Sequence, residues 1–86
     1  MKEWREDIAE RLELPAEAAG LMKVTISGKR RVLVEYHRGI LEYGPECIEV
    51  AGRGGKVRVV GDALELTAMD SEAVLVTGTV AGVEIE

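Results

Sequence analysis

The stretch Met22-Lys23-Val24-Thr25-Ile26-Ser27-Gly28-Lys29-Arg30-Arg31-Val32-Leu33-Val34-Glu35-Tyr36-His37-Arg38-Gly39-Ile40-Leu41 decides the fold. Apolar residues recur at every second position, first Val24/Ile26 and then Val32/Val34, with turn residues at Ser27-Gly28 between them. A period of two is the mark of a strand that buries one face, because successive side chains point to opposite sides of the pleat. The pattern continues as Ile40 with Leu41 and Tyr43, then Ile48/Val50, Val57/Val59, Leu64/Leu66, Val74/Val76 and Val83/Ile85. The centres advance by seven to ten residues, and nine of the ten glycines fall at or near the expected turns. Glycine belongs there because it adopts positive φ without a steric penalty.

Connections this short cannot hold crossover helices, which excludes a parallel sheet. The residues therefore predict a mainly β chain of about seven or eight short strands. An antiparallel meander closing into a small barrel or sandwich is preferred. The turns at Ser27-Gly28 and His37-Arg38-Gly39 have hairpin length, and true repeats would share more residues. A short β-solenoid is the alternative.

Ahead of the strands, Trp4, Ile8 and Leu12 lie four apart among charged residues, the pattern of a short amphipathic helix over 2–13. Pro15 ends it. The chain thus reads as one domain, with 1–21 as helix and connection and 22–86 as the β domain. The apolar fraction of 47% is almost free of aromatics: there is no Phe, and Trp4, Tyr36 and Tyr43 make up the 3%. Valine and isoleucine carry the core, as suits a pleated surface.

The net charge of −5 is uneven. Residues 1–43 hold eight basic and eight acidic side chains, residues 44–86 three and eight. This balance argues against nucleic-acid binding by general electrostatics. The longest apolar runs are four or five residues, against roughly 20 for a membrane-spanning helix, and the N-terminus has no secretory pattern. A lone Cys47 cannot form an internal disulfide and fits a reducing compartment. The chain is expected to be cytoplasmic.

No chemistry-bearing set emerges. One histidine and one cysteine do not make a zinc site. Ser27 and Ser71 lack the setting of a nucleophile elbow. Gly52-Arg53-Gly54-Gly55-Lys56 leads into a strand, where a phosphate loop requires a helix. Glu35, Glu42, Glu49, Glu65 and Glu84 occupy the polar positions of strands and read as a wet face. Lys29-Arg30-Arg31 is the one basic cluster, with Arg38 expected near it across a hairpin, and it reads as a solvated edge or a docking patch for an acidic partner or membrane headgroups. The expectation is a protein that is not an enzyme and needs no cofactor or metal.

Three segments resemble a known family: Leu12-Glu13-Leu14-Pro15, Val24-Thr25-Ile26-Ser27-Gly28, and Val32-Leu33-Val34-Glu35-Tyr36-His37-Arg38-Gly39-Ile40-Leu41. In this order, followed by glycine-punctuated strands to Gly78-Thr79-Val80, the chain is similar to the YabP/YqfC family of sporulation proteins. The Leu-Glu-Leu-Pro segment points to its YqfC-like branch. It departs from the family pattern in having Tyr36 where Asn is usual, and Met22 where Pro often stands. The resemblance implies a non-enzymatic protein of endospore formation, set in the mother cell. It also implies an adaptor or assembly role beside a membrane-associated partner of the YqfD type. Glu35, His37, Arg38 and Gly39 match the family segment and are the expected partner contacts, with Gly39 supplying the turn. A homo-oligomer built from sheet edges is the competing expectation, and a small-ligand or nucleic-acid binding barrel a weaker one.

Overall fold

The computed structural model describes residues 20–86. The expected helix over 2–13 and most of its connection lie outside these residues. Six strands follow: β1 Lys23–Ser27, β2 Arg31–Glu35, β3 His37–Tyr43, β4 Cys47–Gly52, β5 Gly55–Met69 and β6 Ala73–Ile85. They form one antiparallel sheet in the order β1-β2-β6-β5-β4-β3.

That order departs from a plain meander. β3 to β6 are consecutive neighbours, but β6 then pairs with β2, so the three strands β6, β5 and β4 lie between β2 and β3. Laid flat, β2 and β3 would be about 19 Å apart, four strand spacings. A single residue, Tyr36, separates them in sequence, and the backbone from Glu35 to His37 spans at most about 7 Å. The sheet must therefore curl until its far sides nearly meet. A second contact agrees: Met22, just ahead of β1, packs on Gly52 at the end of β4, where an added Cβ would come within 2.5 Å of Met22 Sδ. The curl stops short of closure, since β1 and β3 are not paired.

The inner face of the curl is the core. Val32, Val34, Ile48, Val50, Val57, Val59, Leu64, Val74, Val76 and Val80 are buried there, with Met22, Val24, Ile40, Leu66 and Val83 packed around them. All but Met22 are valine, isoleucine or leucine. Short branched side chains suit the narrow interior of a sheet wrapped on itself.

The eight apolar pairs of the sequence become six strands because two apparent turns are bends. Val57/Val59 and Leu64/Leu66 share the 15-residue β5, and Val74/Val76 and Val83/Ile85 share the 13-residue β6. Their mutual register slips between Val60 and Gly61, between Asp62 and Glu65, and between Leu66 and Ala68. At the bend the backbone donors of β5 turn to the β3–β4 loop, Gly61 N donating to Glu46 O at 3.0 Å and Leu64 N to Pro45 O at 2.8 Å. Gly78 faces the bend at φ 133°, where a Cβ would lie 2.5 Å from Ala63 O. Glycine at such a place marks a bulge and a close backbone approach rather than a chain reversal.

Candidate functional site

The family-like segment forms the corner between β2 and β3. Glu35, the last residue of β2, pairs across the sheet with Lys23 and Ala73 and is 1% exposed. Tyr36 then takes φ 62°, the left-handed region that turns the chain sharply. Asn enters this region far more readily than a bulky side chain does, which gives a physical meaning to Tyr36 standing at a position usually held by Asn.

The corner is bolted to the β5–β6 turn. Tyr36 N donates to Glu72 O at 2.6 Å and His37 N to the same oxygen at 3.3 Å. The His37 ring bridges onward: Nε2 lies 2.9 Å from Asp70 O, and Gly39 N donates to Nδ1 at 3.0 Å. A carbonyl can only accept and an amide N–H can only donate, so in this arrangement Nε2 donates and Nδ1 accepts. The turn is itself stapled, with Asp70 Oδ1 accepting from Glu72 N at 2.8 Å and Ala73 N at 2.7 Å. Such an Asx arrangement fixes a tight turn by satisfying its backbone donors.

The structure therefore divides the four expected contact residues. Glu35 lies inside. His37, expected in an exposed turn, is half-buried in β3 with both ring nitrogens engaged. Gly39 adopts φ 127° within β3, so it shapes a bulge and not a hairpin loop. His37 opposes Gly52 and Gly39 opposes Ala51, leaving Arg38 as the extra residue. A bulged residue has no ladder partner and is re-aimed; Arg38 is exposed.

The expected hairpin joining β2 to β3 is absent, and this corrects the placement of Arg38 beside the basic cluster. Lys29, Arg30 and Arg31 lie at the β1–β2 turn, at the opposite end of β2 from the corner. Val80 N donates to Lys29 O at 2.7 Å and Gly78 N to Arg30 O at 3.2 Å, tying that turn to β6.

A third cluster sits on β3, β4 and β5. Lys56 Nζ lies 3.0 Å from Glu49 Oε1 and 3.8 Å from Glu86 Oε1, and Arg58 Nε lies 3.9 Å from Glu49 Oε2. The hydrogen bond from Lys56 holds the Glu49 carboxyl below its ordinary range, helped by the charges of Lys56 and Arg58. The same bond from the other side raises Lys56. Arg58 Nε donates to Cys47 Sγ at 3.2 Å, and the thiol lies 3.5 Å from Glu42 Oε1. Glu42, Cys47 and Glu49 bring potential metal-ligand atoms within 4.8 Å of one another, but Lys56 and Arg58 already supply their positive charge.

Sequence reasoning missed Tyr36, Asp70 and Glu72, which build the corner. The signal for the first was the Tyr-for-Asn departure, since Asn is a left-handed residue by habit. For the others only the Asp70-Ser71 turn pattern was visible, and nothing local says what a turn docks against.

Among known proteins, the model of the YabP family matches residues 19–86. The Leu12–Pro15 segment that suggests a branch lies ahead of the matched residues, so the match speaks for the family as a whole. No curated protein and no solved structure matches the chain.

Proposed function

This chain belongs to the YabP family, and from that membership, which is consistent with a sporulation-related protein, we propose that it is a non-enzymatic adaptor of spore formation. It acts in the cytoplasm of the mother cell and meets the membrane through a membrane-associated partner of the YqfD type. Among the described residues no helix is long and apolar enough to cross a membrane. The non-enzymatic reading is supported by how the reactive groups are used. Both His37 nitrogens hold backbone, and Cys47 lies between Arg58 and Glu42.

The observation that carries the adaptor reading is Arg38, a guanidinium pushed out of the sheet by a bulge on a rigidly held corner. A fixed charge on a preorganised base loses little entropy on binding and suits an acidic patch of a partner. The test is affinity capture of the tagged protein from sporulating cells with gentle detergent extraction. One membrane-associated sporulation protein should be enriched, and Arg38→Glu, folded as wild type, should lose it. Equal capture by the variant overturns the assignment of Arg38.

A second reading, self-assembly, draws on the open sheet. β1 and β3 each leave one side unpaired within the described sheet, and free strand edges are templates for pairing. Sedimentation over a concentration series separates the two, because a persistent monomer contradicts self-assembly.

A further inference from the structure

We propose that the cleft beside the β1–β2 turn is a binding site for a phosphoryl group carried on a small polar molecule, either free or as a lipid headgroup. The site is independent of the corner and of the adaptor reading.

The cleft lies beside the place where β5 and β6 lose register while their backbones stay in close approach at Ala63 and Gly78. Where their register slips between Asp62 and Glu65, Ala63 is driven to φ 53° and Gly78 to φ 133°. A non-glycine residue in the left-handed region is a local cost that the surrounding structure must sustain, and such places gather at binding sites. The opening has a volume of about 500 Å³, and Arg30, Arg31, Glu65, Gly78 and Thr79 are among its walls.

Its cations differ from those of the cluster on β3, β4 and β5. Lys56 and Arg58 are matched by Glu49 and Glu86. Among the described residues no ion pair involves Arg30 or Arg31, yet their backbone is anchored through Lys29 O and Arg30 O to β6. Two unmatched guanidiniums on a fixed stem are a preorganised receptor for a dianion. The planar fork of each can give two parallel hydrogen bonds to phosphoryl oxygens. The Thr79 hydroxyl adds a neutral donor to the same wall.

Glu65 narrows the class. Its carboxylate repels a bare anion but accepts a hydrogen bond from a hydroxyl or ammonium group. The fitting ligand therefore carries a donor beside its phosphoryl group, as glycerol phosphate does, and the cleft has room for both.

The test is an NMR titration of the full chain with glycerol phosphate at constant ionic strength, following the Arg30, Arg31, Gly78 and Thr79 signals. The expected result is saturable shifts at these residues. Arg30→Gln with Arg31→Gln should weaken binding about tenfold or more, and Glu65→Gln should strengthen binding of inorganic phosphate. The three positions are exposed, and the Glu65→Gln outcome is a gain, which misfolding cannot imitate. A second arm uses phosphatidylglycerol vesicles, with phosphatidylcholine vesicles as reference. Binding that glycerol phosphate competes away identifies a lipid headgroup as a source; saturation by glycerol phosphate without vesicle binding identifies a free one. The proposal is overturned if no saturable shift appears in either arm, or if the double variant binds as wild type does.

Discussion

The two ends of β2 show opposite uses of the same short strand. At one end Glu35 is buried, and the half-buried Tyr36 and His37 are fastened to the Asp70–Glu72 turn by backbone and ring. At the other end Lys29 and Arg30 are tied to β6 by backbone hydrogen bonds, and the side chains of Lys29, Arg30 and Arg31 are exposed. The end that looks like a motif is mostly architecture, and the end that looks like plain surface keeps its charge available. A segment can thus resemble a family strongly because a corner demands particular residues, while Arg38, the residue left over by the bulge, stays at the surface.

The comparison breaks most visibly at the ring of His37. His37→Ala removes two hydrogen bonds at a half-buried corner and should cost about 2 kcal/mol, read as a lower denaturation midpoint with an unchanged slope. A loss near zero would mean that the corner holds without its bridge. Next comes the backbone at position 36. Tyr36→Asn and Tyr36→Val both remove the ring, but valine resists left-handed φ. The Val variant should be less stable than the Asn variant by about 1–2 kcal/mol. Equal stabilities would remove the left-handed corner from the account.

Smaller effects sharpen the other side. The lowered Glu49 carboxyl contributes stability that is present above its ordinary value of 4.5 and is lost as pH falls through the depressed folded value. Unfolding midpoints should therefore fall on acidification below about pH 5, and Glu49→Gln should flatten part of that slope; an unchanged slope contradicts the pairing with Lys56. Smallest of all, Arg30→Gln with Arg31→Gln should leave stability within about 0.5 kcal/mol, because both side chains are exposed and make no ion pair among the described residues.

Much of the sheet was legible because period-two alternation survives any topology. Val24/Ile26, Val32/Val34 and Ile48/Val50 lie where the alternation puts them, in β1, β2 and β4. The count of strands was not, because Gly61-Asp62 and Gly78 supply bulges with the same residues that supply turns. One clue was available: the apolar positions change from odd in Val57/Val59 to even in Leu64/Leu66, the mark of an inserted residue within a continuing strand. Strand order was illegible for a different reason. Whether β2 pairs with β3 or turns away from it depends on the docking of Tyr36 and His37 on a turn more than 30 residues distant. Of the family-like segment, Arg38 lies at the surface, while burial of Glu35 follows from a curl that no local pattern announces.

Native-state hydrogen exchange tests the central claim most directly, residue by residue. If the β2–β3 corner is a structural lock, the amides of Tyr36, His37 and Gly39 exchange only when the whole sheet unfolds, alongside those of the β2 and β6 core. Exchange of these three amides at the rate of a solvent-exposed loop would contradict it, and would return the segment to a surface turn.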